Sequence, residues 1–361
     1  MRSLERPVPL GFYILIAIAW CACLPSTSSA EEYAIGADLS FLPHAEASGV
    51  VFKEEGQPKP GLQIFKDHGY NWVRLRLFHS PDELPNDLEY TIAAAQAAKQ
   101  QGLKVLLNFH YSDTWADPQK QFTPKAWEGL SEDELAEQVF HYTRDTIAAF
   151  READAMPDMV QIGNEVIGGM LWPQGRVPKN WGTFAALFNA GVRGVTAGQG
   201  QASSPSIMMH IDRGGDRKVT KWFFDQCRRH GIEFDVIGQS YYPWWHGSLD
   251  DLRANLAFMA AEYDKDIYLV EVAYNWRPAE YRNKVGPFPE TPDGQREFLE
   301  QVNSIVRETP GARGKGIFWW EPAVAPGGIS SRGMFDDRGN ALPVISVFDA
   351  PHRDHAPAAG Q

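Results

Sequence analysis

The sequence of 361 residues contains little cysteine, and its three cysteines are unevenly placed. Cys21 and Cys23 lie within the first thirty residues, so Cys227 is the single cysteine of the remaining chain. One cysteine cannot form an intramolecular disulfide bond, which excludes a disulfide-stapled scaffold. The folded protein must therefore rely on a hydrophobic core, for which 43% hydrophobic residues are ample.

Several motifs that carry chemistry in other proteins are also absent. No GxGxxG follows the first strand-like segment, no GxSxG marks a serine nucleophile, and no HExxH or paired Cys/His spacing marks a metal site. His210 with Asp212, and His110 with Asp113 and Asp117, are conceivable metal ligands that lack such spacing. The sequence therefore predicts neither a cofactor nor a metal ion.

Positive charge is scarce as well. The 34 Lys and Arg residues face 46 Asp and Glu residues, which gives a net charge of −12. This balance argues against nucleic acid or an anionic membrane surface as a partner. Aromatic residues, in contrast, make up 12% of the chain and include 12 Trp. They fit a large aromatic core or a sugar-binding site equally well, because aromatic faces stack on the C–H faces of pyranose rings.

The first thirty residues have the three-part pattern of a secretory signal peptide. Arg2 and Arg6 precede an apolar stretch from about Leu10 to Leu24, and small residues follow up to Ala30. The apolar stretch is short for a membrane-spanning helix. We therefore expect cleavage after Ala30 and a secreted or periplasmic protein that has no membrane association after cleavage.

Compact β-like runs alternate with longer amphipathic segments through the rest of the chain. The candidate strands are YAIGADLS, NWVRLRLF, KVLLNFHY, MVQIGNE, SIMMHID, FDVIGQSYY, DIYLVEVAY and GIFWWEP. Repeated strand–helix units with nearly continuous apolar strands indicate a parallel sheet that is buried on both faces. Eight such units predict an α/β fold, a single (β/α)₈ TIM barrel over residues 31–349, followed by a disordered tail at 350–361. We expect a monomer.

Polar residues follow the apolar part of each candidate strand, and the carboxyl ends of barrel strands meet on one face, where active sites are built. Glu165 ends the fourth strand and Glu271 ends the seventh, which lies across the barrel mouth. Either glutamate alone fits an ordinary salt-bridge partner. Together they form the carboxylate pair of a glycosidase, with Asn164 placed to bind a sugar hydroxyl and Arg74 placed to keep Glu271 ionised.

Six segments extend this interpretation. GADLSFLP, GYNWVRLRLF, NFHYSDTWADP, QIGNEVIGGMLWPQGR, SYYPWWHG and GIFWWEPA resemble the endo-β-1,4-galactanases of glycoside hydrolase family 53, in that family's order, from about Ile35 to Val347. The resemblance implies a retaining barrel enzyme that cuts internal β-1,4-galactosyl bonds of galactan and type I arabinogalactan in plant pectin. It implies Glu165 as proton donor and Glu271 as nucleophile, with Asn164 and Arg74 beside them.

We expect further residues near the barrel mouth to bind the substrate; they are Asp38, His110, Trp115, Tyr242, Trp276 and Trp320. The chain departs from the family pattern at Val324, where a tryptophan is common. The segment from Asn275 to Pro292 is compact and poor in acidic residues, so we expect no calcium site there. Two alternatives stay open: a barrel endoglycanase that acts on β-glucan, mannan or xylan, and a carbohydrate-binding protein without turnover.

Overall fold

Eight parallel strands close into a barrel, each paired with its neighbours in chain order, and β1 pairs with β8 to complete the ring. The computed structural model describes residues 32–279 and 284–349. The strands are β1 Ala34–Asp38, β2 Trp72–Leu77, β3 Lys104–Phe109, β4 Met159–Ile162, β5 Ser206–Ile211, β6 Val236–Tyr241, β7 Asp266–Val272 and β8 Gly314–Trp319. All eight strands predicted from the sequence are therefore confirmed. The predicted signal peptide at 1–30 and the predicted tail at 350–361 lie outside the described residues.

Helices surround the barrel. They are α1 Leu42–Ala47, α2 Gly61–Asp67, α3 Leu88–Gln100, α4 Glu132–Glu152, α5 Trp181–Gln199, α6 Arg217–Arg229, α7 Leu249–Tyr263 and α8 Pro292–Arg307. A capping box of Ser131 and Glu134 begins α4. After β8, a short 3₁₀ helix, Pro343–Phe348, packs against α8. Within the described ranges, every helix is too short or too polar to traverse a lipid bilayer.

The inside of the barrel changes from apolar to polar along each strand. Trp72, Leu106 and Phe318 belong to an interior apolar cluster that is separate from the core between the strands and the helices. Side chains in a strand alternate between two faces, so residues two positions further on point to the same interior. On β2 and β3 those positions are Arg74 and Asn108, both buried. The apolar cluster thus forms a floor beneath a polar network at the carboxyl ends of the strands.

Candidate active site

Arg74 on β2 is the centre of the polar network. Its side chain is 1% exposed and its guanidinium donates to Asp38 Oδ2 at 2.8 Å, to Asn164 Oδ1 at 2.9 Å and to Glu271 Oε1 at 2.8 Å. A planar guanidinium with several fixed donors can hold three acceptors in a defined arrangement. Arg74 therefore connects β1, the end of β4 and β7 in a single network.

Glu271 points into the barrel because β7 is irregular at this position. The register of β7 shifts against β6 between Gln239 and Ser240, so that Glu271 lies opposite Ser240. The preceding residue, Val270, belongs to the interior apolar cluster, and such a bulge re-aims the next side chain. Glu271 Oε2 accepts a hydrogen bond of 3.2 Å from the Tyr242 hydroxyl. Both carboxylate oxygens of Glu271 are thus held in place.

Glu165 follows β4 in a left-handed backbone conformation, with φ 47° and ψ 51°. A non-glycine residue in this region carries strain, which accumulates at functional sites. The Ser240 hydroxyl donates to Glu165 Oε1 at 2.6 Å. Neighbouring Asn164 accepts from Arg74 and donates from Nδ2 to the Ala116 carbonyl at 2.9 Å, which fixes its amide.

The two glutamates lie in unlike electrostatic surroundings. Burial raises the pKa of Glu165 well above its ordinary range, and the charges of Glu271 and Asp212 raise it further. Burial also raises the pKa of Glu271, although the positive charge of Arg74 opposes this. Arg74 lowers the pKa of Glu271, as the sequence predicts, but burial raises this pKa by more. With a cation at Glu271 and anions around Glu165, the pair favours a proton on Glu165 and a negative charge on Glu271.

Glu165, Glu271 and His210 each place one polar atom within 4.8 Å of the others. This distance suits a metal ion, but both ring nitrogens of His210 are already engaged. Nδ1 accepts from the Glu165 backbone N–H at 3.3 Å and lies 3.0 Å from Gln161 Nε2, while Nε2 lies 2.9 Å from Ser240 Oγ. The donor set therefore fits a scaffold for Glu165 better than a metal centre. Burial lowers the pKa of His210 well below its ordinary value, which keeps the ring neutral.

Two adjacent cavities occupy the mouth of the barrel. The smaller has a volume of about 290 Å³ and contains both glutamates, and the larger has about 940 Å³ and contains Glu165 but not Glu271. Of the predicted sugar-binding residues, four line the smaller cavity: His110, Trp115, Tyr242 and Trp320. Trp115 and Trp320 have ring centroids 6.2 Å apart, and Arg76 lies over Trp115 at 4.2 Å. The smaller cavity is therefore a polar pocket with aromatic walls.

The other two predicted sugar-binding residues are placed differently. Asp38 is completely buried and its carboxylate is occupied by Arg74 and Ser40, so it lies beneath the cavity. Trp276 is absent from the described lining of both cavities, and its indole N–H donates to the Ser330 carbonyl at 2.9 Å. The sequence interpretation also missed Ser240 and Gln161, inward-facing polar residues within otherwise apolar strands.

Comparison with known proteins gives a consistent result. Residues 34–348 match the model of glycosyl hydrolase family 53. The chain is 33% identical to an arabinogalactan endo-beta-1,4-galactanase of Cellvibrio japonicus, over 93% of this chain and 96% of that protein. It is 34% identical to arabinogalactan endo-beta-1,4-galactanase A of Aspergillus niger, over 91% and 97%.

Solved structures agree with the sequence matches. The family 53 catalytic domain of Ignisphaera aggregans superposes with a TM-score of 0.82 at 33% identity, over 90% of this chain and 98% of that one. A fungal beta-1,4-galactanase superposes with a TM-score of 0.81 at 34% identity, over 87% and 98%. More distant barrels, such as a xylanase from Penicillium canescens at 14% identity and a TM-score of 0.60, share the fold alone.

Proposed function

Because this chain belongs to glycosyl hydrolase family 53, we propose that it is an endo-β-1,4-galactanase that cleaves internal bonds of galactan and type I arabinogalactan. The observation that carries the proposal is the carboxylate pair, with oxygens of Glu165 and Glu271 within 4.8 Å of each other. Retaining glycosidases place these groups about 5–5.5 Å apart, whereas inverting enzymes need about 6.5–9.5 Å for a water molecule. The spacing supports a double displacement that retains configuration.

In the first step, the Glu271 carboxylate attacks the anomeric carbon of the sugar in the smaller cavity while Glu165 protonates the departing oxygen. A covalent galactosyl ester on Glu271 results. In the second step, Glu165 takes a proton from water, and the water oxygen replaces Glu271 at the same carbon. Arg74 and Tyr242 hold Glu271 in line for both steps, through contacts of 2.8 Å and 3.2 Å.

The hydrogen bonds around His210 indicate which oxygen of Glu165 carries the proton. The Glu165 backbone N–H donates to His210 Nδ1, so the proton of the neutral ring lies on Nε2 and is donated to Ser240 Oγ. The Ser240 hydroxyl must then donate onward to Glu165 Oε1. Oε1 is thereby an acceptor, which leaves Oε2 to carry the acidic proton toward the substrate.

The two cavities support cleavage within a chain rather than at its end. They share Glu165, Asp117, Tyr242 and Trp245, so a polysaccharide can continue from one into the other past the proton donor. The smaller cavity receives the sugar that Glu271 attacks. The larger one lies on the side from which Glu165 protonates the leaving group.

A digest of several polysaccharides tests the proposal. Potato galactan is expected to release oligosaccharides, whereas β-glucan, mannan and xylan are expected to release none. Proton NMR of a fresh galactan digest should show the β-anomer first, because two inversions restore the configuration. Release from xylan or mannan instead would support another endoglycanase, and binding to galactan without new reducing ends would support a protein without turnover. An initial α-anomer would contradict the retaining mechanism.

Trp320 is expected to contribute a stacking surface for the attacked sugar. Trp320→Ala should lower kcat/KM on galactan by about 10- to 100-fold, the effect of losing roughly 1.5–3 kcal/mol of apolar contact. The melting temperature should stay close to that of the wild type, because the ring lines the cavity.

Trp244 offers a matched control for this variant. It is buried and stacks on Tyr274 with ring centroids 5.3 Å apart, so Trp244→Ala should destabilise the fold by about 3–5 kcal/mol. If Trp320→Ala melted as early as Trp244→Ala yet kept full activity when folded, Trp320 would be a packing residue and not a substrate contact.

The proposal includes export of a monomeric enzyme to the periplasm or the medium. Export is supported by the pattern of basic, apolar and small residues that ends at Ala30. N-terminal sequencing of the exported protein tests this part, and a first residue other than Glu31 would contradict the cleavage site.

A further inference from the structure

Glu321 is a buried acidic residue near the barrel mouth that the mechanism does not yet use. It lies two residues after the end of β8, in a left-handed backbone conformation with φ 49°. Backbone strain of this kind accumulates at functional sites, and a buried carboxyl group is costly as well. Glu321 is 1% exposed and absent from the described lining of both cavities, so it has almost no surface with which to contact a sugar.

Arg76 connects Glu321 to the smaller cavity, whose lining includes Arg76. The Nη2 group of Arg76 donates a hydrogen bond to Glu321 Oε1. Arg76 Nη1 lies 4.0 Å from Asp38 Oδ2, which is too far for a hydrogen bond, and Nε has no partner within the described part of the chain. Glu321 is thus the acceptor that sets the position of the guanidinium.

The Arg76 guanidinium is packed against the ring of Trp115. Its central carbon lies 4.2 Å from the centre of that ring and 4.7 Å from the centre of the Phe41 ring. A guanidinium over an aromatic face is attracted by the ring, most strongly where water is excluded, and its flat shape suits stacking. Arg76 therefore supports the indole of Trp115 from one face.

The orientation of the Trp115 ring depends on such contacts, because only its backbone is anchored by hydrogen bonds of the next residue. Ala116 donates its N–H to His110 Nδ1 at 3.0 Å, and its carbonyl accepts from Asn164 Nδ2 at 2.9 Å. These bonds do not by themselves fix the side-chain rotation of Trp115. Trp115 and Trp320 line the smaller cavity with ring centroids 6.2 Å apart, so a rotated indole would change the wall that meets the attacked sugar.

We propose that Glu321 is a positioning residue for the attacked sugar: by accepting a hydrogen bond from Arg76, it holds the guanidinium against Trp115 and thereby fixes the indole as a wall of the smaller cavity. This inference rests on the proposed function. It assigns a role in substrate binding to a side chain that lies outside the described lining of that cavity.

This role depends on an acceptor atom rather than on negative charge. Burial raises the pKa of Glu321 to about 8, although the positive charge of Arg76 opposes this. The carboxyl group is therefore largely protonated in mildly acidic solution, where Oε1 still accepts from Arg76. A glutamine at this position offers the same acceptor with the same size, whereas a leucine of similar size offers none.

Two variants of Glu321 test the hydrogen bond. Glu321→Leu is expected to lower kcat/KM on galactan by about tenfold, because Arg76 loses its acceptor and the indole loses its support. Glu321→Gln is expected to stay within about threefold of the wild type, because it keeps the acceptor. Initial rates are measured at the pH optimum of each variant and below its melting temperature, so that only folded protein is compared.

A double-mutant cycle with Trp115→Leu separates positioning from a general loosening of the fold. Trp115→Leu removes the ring that the guanidinium supports, so adding Glu321→Leu to it should lower kcat/KM by less than about twofold further. The fall in melting temperature should be similar in both backgrounds, since the buried Arg76 loses its partner in each. A structural effect, or an electrostatic effect on Glu271, would instead lower kcat/KM by the same factor in both backgrounds.

Arg76→Lys keeps the test decisive if Glu321→Leu does not fold. Lysine retains a positive charge beside Glu321 but lacks the flat group that packs on the indole, so a fall of about tenfold is again expected, and it should vanish in Trp115→Leu. Arg176→Lys is the matched control, because Arg176 also lies 4.2 Å over a tryptophan ring, that of Trp172, which is absent from the described lining of both cavities. It should keep kcat/KM within about twofold of the wild type.

A Glu321→Leu variant as active as the wild type would overturn the inference. A tenfold fall that persists in Trp115→Leu would do the same, as would an equal fall in Glu321→Gln or Arg176→Lys. Each result requires a wild type that degrades galactan. A wild type that releases nothing from galactan would instead overturn the proposed function, so the two failures are distinguishable.

Discussion

Glu271→Ala is expected to lower kcat on galactan by roughly 10⁵-fold, and to cause a comparable loss on an aryl galactoside with a good leaving group. Both substrates need a nucleophile at the anomeric carbon, so a better leaving group cannot compensate. In the wild type this nucleophile is a carboxylate that Arg74 contacts at 2.8 Å and the Tyr242 hydroxyl at 3.2 Å. Initial rates on both substrates, with melting temperatures recorded in parallel, provide the measurement.

Glu271→Gln is the control for shape. The amide has the size of the carboxylate and can still contact Arg74 and Tyr242, so the variant should fold normally and remain equally inactive. Added azide can enter the space that alanine leaves at position 271 and attack directly, which gives only the α-galactosyl azide. A β-azide from Glu271→Ala, or activity on galactan within tenfold of the wild type, would show that the nucleophile lies elsewhere.

Glu165→Ala is expected to separate the two classes of substrate. On galactan it should lower kcat by about 10³-fold, within the range for loss of a general acid. An aryl galactoside with an acidic phenol needs little protonation to depart, so its first step should proceed and the galactosyl ester on Glu271 should accumulate. Burst kinetics and mass spectrometry of the intact protein detect this intermediate.

Azide and pH provide two further tests of Glu165. Azide should intercept the intermediate in Glu165→Ala, speed turnover and yield the β-galactosyl azide.

In the wild type, activity on galactan requires protonated Glu165 and is lost as the pH rises through its pKa. Because burial raises that pKa well above the ordinary value, the protonated acid persists at pH values where a solvent-exposed glutamate is ionised. In Glu165→Ala, the fall in activity at high pH should disappear for the aryl substrate. If Glu165→Ala lost activity on both substrates while Glu271→Ala kept the first step on the aryl substrate, the roles of the two glutamates would be exchanged.

The strands and the meeting of the two glutamates follow from simple features of the sequence. Each strand is an apolar run that ends in polar residues, and eight such runs leave few alternatives to a closed barrel. Glu165 and Glu271 end strands on opposite sides of such a barrel, so fold geometry alone brings them together. Their closeness, within 4.8 Å, agrees with that expectation.

Depth inside the barrel could not be predicted in the same way. Asp38 at the end of β1 and Arg74 within β2 both point inward, but Asp38 has no exposed surface and supports Arg74 from below. Whether an inward residue reaches the cavity or the layer beneath depends on the tilt and offset of its strand, which the pattern of hydrophobic residues does not encode. The position of Trp276 could not be predicted for a related reason, because the path of its loop is set by contacts such as the one with Ser330.

Ser240 is another residue whose place in the site could not be predicted from the sequence. It is a small polar residue within an apolar run, and in the sequence it resembles any buried serine. Its hydroxyl reaches Glu165 from the neighbouring part of the barrel, and the bulge in β7 sets Glu271 opposite it. A bulge of this kind leaves no signal in one sequence, because adjacent apolar residues such as Val270 continue the run without interruption.

The pairing of β1 with β8 joins the two ends of the domain, from Ala34 to Gly316. During synthesis, therefore, the ring stays open until nearly the whole chain has left the ribosome. Until then β1 and the most recently made strand present unpaired edges, which readily pair with other chains. A nonsense mutation anywhere before Gly314 would leave this gap permanently open, and its product would be a target for aggregation and proteolysis rather than a shortened enzyme.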